Sequence, residues 1–296
     1  MFEKVSPAHP DKIADRIAGA VVDLAYTKAK NPRIATEVLL GHGECNIQVE
    51  TSEQIGAEDI GAIVSRIAGE GIETRALIVP QDVHLADNQK GGVKCGDNGI
   101  FKGCAPTHEQ KLLTAIAASI YKAHGTDGKY LIKQNGNCEG EPYSLTICQS
   151  HMTETDIEWL LEHMERGFNI NGNIIINPLG EWTGGPNTDS GATNRKLGSD
   201  MGDGVTGGGL MGKDLSKCDV SVNIVCFLKA VHSGQVVTAI CSIGDENVTF
   251  QYADGKTETE TFADVVEMAR LYILTDCNGS FERFAEWGLI RANTDL

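Results

Sequence analysis

The chain has 296 residues, 41% of them hydrophobic, and a net charge of −16 at neutral pH, which is enough to bury a substantial core as two or three small domains. So acidic a balance disfavours general affinity for nucleic acid or an anionic membrane, both of which need a clustered positive field. An anionic substrate would therefore require a local basic patch or metal ions.

Asp11 to about Lys28 carries Ile13, Ile17, Val21 and Leu24 at helical spacing, with Pro10 where a first turn tolerates it. Strand-like runs Ile34 to Leu40 and Asn46 to Thr51 follow, then a helix from Glu58 to Ala68 and a strand from Ala76 to Val79. Gln81 to Gly96 is polar and aperiodic and reads as a mobile loop, a candidate lid. A helix from Thr107 to Ala123, a strand from Ser144 to Cys148 and a helix from Thr153 to Glu165 form a second block. A strand at Ile174 to Ile176 leads into a glycine-rich region. The last block reads as a helix near Ser216 to Val231, strands Val236 to Ile243 and Val248 to Tyr252, and helices Phe262 to Leu274 and Phe281 to Trp287. Strand pairs thus alternate with helices three times, although no residue-level repeat is visible.

The nine cysteines contain no C-x-x-C pair, so they suggest neither a disulfide framework nor a zinc knuckle and read as reduced thiols. With no 18-residue apolar run and no secretory leader, the expectation is a soluble, cytoplasmic protein.

Several motifs place charge beside flexible backbone. His9-Pro10-Asp11-Lys12 opens a helix, where free N–H groups favour phosphate; the same residues also fit a helix start in which Asp11 complements the dipole while His9 and Lys12 are solvated. Gly96-Asp97-Asn98-Gly99 fits a plain turn or a close approach of backbone to ligand. Trp182, set in a run of turn residues from Asn177 to Pro186, suits stacking on a purine or burial in a core. Between Asp189 and Asp219 both charge signs recur among glycines, as a metal–polyphosphate site requires. Lys213 and Lys217, four apart, would project from one helical face, and Asp189 and Asp219 offer hard oxygen ligands. The overlapping Gly-x-Gly-x-x-Gly and near-P-loop patterns of residues 202–213 lack the preceding strand, and Asp214 stands where a P-loop has Ser or Thr. Glu37 and Glu50 lie in strand runs, where either faces solvent or meets a cation.

Taken in order, His9-Pro-Asp-Lys, Gly96-Asp-Asn-Gly, Gly184-Gly-Pro, Arg195-Lys196 and Gly207-Gly-Gly-Leu-Met-Gly-Lys-Asp-Leu-Ser-Lys-Cys-Asp resemble the signature series of S-adenosylmethionine synthetases. The resemblance covers about residues 5 to 243, strongly at the N-terminus and from 174 to 221. It implies an α+β fold of three similar subdomains around a pseudo-threefold, divided near 1–88, 89–184 and 185–296. It also implies a homodimer or dimer of dimers with shared active sites, two Mg²⁺ ions, one K⁺ ion, and ATP and L-methionine as substrates. Methionine sulfur would attack ribose C5′ and displace triphosphate, which is then hydrolysed.

The same resemblance assigns roles. His9, Arg195, Lys213 and Lys217 would be catalytic, and Asp11 and Asp219 would hold magnesium and Glu37 potassium. Lys12, Asp127, Lys129, Trp182, Asp189, Lys196 and Ile243 would join the catalytic four around ATP. Glu50, Gln81, Asp97 and Asp189 would grip methionine. The chain departs from the family in its shorter length, a phosphate loop one residue shorter, a smaller 81–96 segment and no typical C-terminal tail. Glu181 and Val220 also stand where basic residues are usual, which implies slowed or lost triphosphate hydrolysis. The alternatives are a homologue that cleaves triphosphate or uses another thioether, and an inactive regulatory subunit.

Overall fold

The computed structural model describes residues 1–88, 92–134, 143–168, 170 and 173–291. Among them are twelve strands and nine helices. In chain order these are β1 (Phe2–Val5), α1 (Pro10–Lys28), β2 (Ile34–Gly41), β3 (Glu44–Thr51), α2 (Ala57–Ala68), β4 (Glu73–Pro80) and α3 (Val83–Asn88). The middle of the chain supplies β5 (Gly99–Gly103), α4 (His108–His124), β6 (Gly128–Gln134), β7 (Tyr143–Gln149), α5 (Glu154–Phe168) and β8 (Asn173–Ile176). Then come β9 (Gly191–Ala192), α6 (Leu197–Met201), α7 (Cys218–Ser233), β10 (Val237–Cys241), β11 (Asn247–Tyr252), β12 (Thr257–Thr261), α8 (Phe262–Asp276) and α9 (Phe281–Trp287).

The fold is mixed helix and sheet, and its strands form three four-stranded sheets ordered β4-β3-β2-β9, β1-β6-β7-β8 and β12-β11-β10-β5. Each sheet is built on a hairpin, β2–β3, β6–β7 or β10–β11. In the first two sheets a helix, α2 or α5, then carries the chain over to a parallel neighbour, β4 or β8. Each sheet also takes one strand from a distant segment: β9 joins the first, β1 the second and β5 the third.

The helices form where apolar spacing and end signals agree. Helix α1 buries Ile13, Ile17 and Val21 along one face and begins at His9, whose ring accepts the Asp11 N–H. Helix α4 has a capping box in Thr107 and Gln110 and ends on left-handed Gly125. A large apolar cluster packs α1, α7 and α8 with the first and third sheets, and a smaller one gathers Leu113, Ile116, Tyr130, Ile147, Met164 and Trp287 around the second.

Two expectations are corrected. Part of the 81–96 segment is helical, because the Asp82 carboxylate accepts the His84 N–H at 2.8 Å and starts α3; residues 89–91 of that segment lie outside the described residues. Lys213 and Lys217 do not share a helical turn: Lys213 bridges Ala35 in extended backbone, and α7 begins only after Lys217. Among the described residues no helix is long and apolar enough to cross a membrane.

Candidate active site

One cluster gathers at the N-terminus of α1. The Asp11 carboxylate accepts the Ala192 N–H at 2.9 Å and Lys196 Nζ at 2.7 Å, with Arg195 at 3.5 Å. Burial works against its charge, but Lys196 and the Ala192 N–H outweigh it and hold the carboxyl below the usual range. Gly191 makes this approach possible, because a Cβ there would fall 2.1 Å from the Pro10 carbonyl carbon.

His9 stands beside Asp11 with its Nδ1 accepting the Asp11 N–H at 3.2 Å, which leaves the ring proton on Nε2. Burial first, then Lys196, push the imidazole down to about 4, so at neutral pH it is an uncharged N–H donor. Such a donor suits an ester or ether oxygen that gathers negative charge.

Asp127 and Trp182 converge on Gly184, where an added Cβ would lie 2.6 Å from Asp127 and 2.8 Å from the indole. Asp127 Oδ2 accepts the Gly185 N–H at 3.0 Å, whereas the buried Oδ1 has no partner. Burial pushes this carboxyl up to about 6. Trp182 is half-buried, belongs to neither apolar cluster and donates its indole N–H to Asn177 at 3.3 Å. It is therefore not a core tryptophan. Asp189 is exposed and Lys129 half-buried, and both are electrostatic neighbours of His9.

The second cluster surrounds the start of α7. Lys213 meets Asp219 at 2.5 Å, and Lys217, the residue before the helix, faces Asp97 at 3.8 Å. Burial alone would lower the Lys213 ammonium, yet Asp219 holds it above its ordinary value. Burial raises the Asp97 carboxyl against the pull of Lys217. Ile243 is exposed in the turn beyond β10, next to Gly244, whose N–H bonds to the Cys95 carbonyl at 3.2 Å.

Glu37 and Glu50 both lie on the outward face of the first sheet. Glu37 accepts the Thr193 hydroxyl and helps line a cavity of about 710 Å³ with Gln48 and Arg75. The Gln81 N–H bonds to Thr51, the neighbour of Glu50, and its side-chain oxygen is buried without a partner. Among the described residues no ion pair joins a charged side chain of the α1 cluster to one of the α7 cluster.

Other charges of the 189–219 stretch turn inward. Asp200 binds buried Lys12 at 2.7 Å beside Asp15, and Asp214 accepts the Ile34 and Ser216 N–H groups. Lys12 is thus committed to a buried ion network. Sequence reasoning passed over Asn194, whose amide pairs with both backbone groups of Met211 and ties residues 191–196 to the glycine-rich loop. Its left-handed φ of 63° is the kind of signal an Asn in a loop can carry.

A family profile described as S-adenosylmethionine synthetase, N-terminal domain, matches residues 1–75, the segment that carries the His9–Lys12 motif and β2–β3. Beyond it, the S-adenosylmethionine synthase of Helicobacter acinonychis is 28% identical over 92% of this chain and 80% of its own. The chain is similar to S-adenosylmethionine synthetases, by the family profile over residues 1–75 and by such relatives at under 30% identity over most of its length. The enzyme of that name from Helicobacter hepaticus is 28% identical over 81% of this chain and 73% of its own, and that from Mycoplasma capricolum 29% over 76% and 70%. Of the two positions expected to depart from the family pattern, Glu181 is exposed, whereas Val220 is packed wholly inside the core.

Proposed function

We propose that the chain makes S-adenosylmethionine from ATP and L-methionine, as a methionine adenosyltransferase. The methionine sulfur attacks ribose C5′, the S–C5′ bond forms as the C5′–O bond breaks, and the leaving triphosphate is hydrolysed to pyrophosphate and phosphate. The observation that carries this reading is the pair of separate clusters, each a carboxylate, Asp11 or Asp219, held against lysine. Each is half of a site that binds a polyphosphate, and two copies of the chain joined face to face complete it.

On this reading neutral His9 donates to the oxygen leaving C5′, and Lys196, Arg195, Lys213 and Lys217 meet the charge that accumulates on triphosphate. Trp182 stacks on the adenine while Ile243 of the other copy covers it, and the unpartnered Asp127 oxygen accepts a nucleoside N–H or O–H. Lys12 sets the pitch of the helix start through its buried network, and Lys129 stands over the nucleotide. Asp97, Glu50, Gln81 and Asp189 hold methionine, so both reactants are kept in register. The carboxylates of Asp11 and Asp219 are hard oxygen donors now paired with ammonium groups, a set that fits Mg²⁺, and Glu37 fits K⁺. When bound, two Mg²⁺ ions and one K⁺ ion would supply further neutralisation of the phosphates. The fold is taken as three related units about a pseudo-threefold axis, and the cytoplasm, rich in ATP, is the natural location.

A second reading, synthesis without triphosphate hydrolysis, rests on exposed Glu181, a negative charge where the resemblance expects a basic residue. Incubation with ATP, methionine, Mg²⁺ and K⁺, followed by chromatography, separates the possibilities. Sulfonium with pyrophosphate and phosphate is the expected result, and sulfonium with triphosphate selects the second reading. If ATP binds and no sulfonium forms, the synthetase reading is wrong and a regulatory subunit, or an enzyme for another thioether, replaces it.

A further inference from the structure

Three cysteines far apart in sequence meet in the fold. Cys95 precedes β5, Cys218 is the first residue of α7 and Cys241 ends β10. All three are fully buried, and their Sγ atoms lie within 4.8 Å of one another. The Cys95 and Cys218 sulfurs are 2.9 Å apart, and both point at the Asp97 carbonyl oxygen, Cys218 at 3.1 Å. We propose that Cys95, Cys218 and Cys241 form a binding site for a thiophilic cation of the zinc class, distinct from the hard-cation positions of the polyphosphate site.

The geometry favours a metal over a disulfide, because a disulfide would use two sulfurs and leave the third idle. Zinc–sulfur bonds of about 2.3 Å place tetrahedral thiolates about 3.8 Å apart. The Cys95–Cys218 separation of 2.9 Å is shorter than that and no sulfur pair is more than 4.8 Å apart, so small side-chain rotations would bring all three into place. The elements that carry two of them are joined through β5: β10 pairs with it, with Cys241 opposite Gly99, and α7 packs on it, while Cys95 lies in the loop that leads into β5. The Asp97 carbonyl, already aimed at two of the sulfurs, or a solvent oxygen completes the fourth position. Binding converts three thiols and Zn²⁺ into a complex of charge −1 with release of three protons. Cys218 is the first residue of α7, the helix end whose dipole favours negative charge.

The position gives the ion a structural task. Cys95 is two residues from Asp97, Cys218 lies between Lys217 and Asp219, and Cys241 is two residues from Ile243. A bound ion would therefore staple together the three segments that build the α7 half-site. This inference rests on the cysteine geometry alone and survives if the proposed reaction is wrong.

The test uses the full-length chain under reducing, oxygen-free conditions. Titration with Cd²⁺, followed by thiolate-to-metal absorption in the ultraviolet, should saturate at one equivalent with the intensity of three thiolates. Zn²⁺ should displace it, and Cys241→Ser should lower the intensity by a third. With zinc bound, mass spectrometry should find Cys95, Cys218 and Cys241 of the unaltered chain protected from alkylation, while Cys104 and Cys148 react as before. The proposal fails if no saturable equivalent binds, if zinc leaves those three thiols as reactive as without it, or if Cys241→Ser keeps the full intensity.

Discussion

At Asp127 a carboxylate is held in a place that charges it at a cost. Its ordinary value of 3.8 rises to about 6 because burial outweighs the single Gly185 N–H it accepts. A carboxyl raised on folding contributes most to stability when protonated. That contribution is full below pH 3.8 and is lost as the pH climbs through 6. Above pH 7 the native state carries a buried charge costing on the order of 1–3 kcal/mol. Asp127→Asn should therefore raise the melting temperature at pH 8 by several degrees and leave it nearly unchanged at pH 4, while weakening ATP. An equal gap at both pH values would refute the charge assignment. Lys213→Ala tests the other half-site: turnover should fall at least about 100-fold with the fold intact by circular dichroism, since the ammonium contributes charge to the site and none to the core. Wild-type turnover in that variant would remove Lys213 from the machinery. Such residues were legible because their types and order carry the chemistry. The burial of Lys12 and Asp200 was not, because a charged residue in a glycine-rich stretch gives no local sign of the partner that waits for it across the fold.

Among the elements, the long helices were legible because each shows apolar residues at a 3.6 period between end signals, and α9 was read with its observed limits. The strands gained from distant segments were not, and neither was β12. β12 is Thr-Glu-Thr-Glu-Thr, an edge strand with no apolar face, and β5 is flanked by glycines that read as turns. β1 carries Lys4 inward, against the apolar pattern of a buried strand. That lysine explains why the strand is where it is. Its ammonium donates to the carbonyls of Ser199, Trp287 and Ile290 at 2.7 to 2.9 Å, tying β1 to α6 and to the end of α9. Burial pushes its pKa down to about 7, although Asp200 nearby favours the charged form. Lys4→Met would fill similar volume and leave three buried acceptors unsatisfied, a loss of about 3 kcal/mol or more. Urea unfolding followed by circular dichroism would read this as a lower midpoint at unchanged slope. A loss below about 1 kcal/mol would mean that the carbonyls find water or another donor.

For the molecule as a whole, the sheets leave apolar side chains uncovered on their outer faces. Ile100 and Ile240 are neighbours in register on β5 and β10 and are 61% and 69% exposed. On the first sheet Leu39 and Leu77 are 53% and 57% exposed around the cavity that holds Glu37. Isolated apolar residues on a surface need no explanation, but on the proposed reading of a shared site these paired ones are where a second copy would pack. If the proposed half-sites are completed by a second copy, two copies packed sheet against sheet would bury the apolar residues and bring the α1 cluster of each copy to the α7 cluster of the other. Burying each isoleucine is worth about 1.5 to 3 kcal/mol, and a twofold interface counts every residue twice. Ile240→Glu places two carboxylates in that interface yet changes nothing inside the chain. It should therefore leave the melting of the single chain almost unaltered, shift the protein from dimer to monomer in light scattering, and remove sulfonium formation together with the dimer. A variant that remains dimeric and active would show that copies meet elsewhere. An unaltered chain that is monomeric and active would mean that one copy closes its own site, and the split between the clusters would then need a hinge within the chain to bring Asp11 to Asp219.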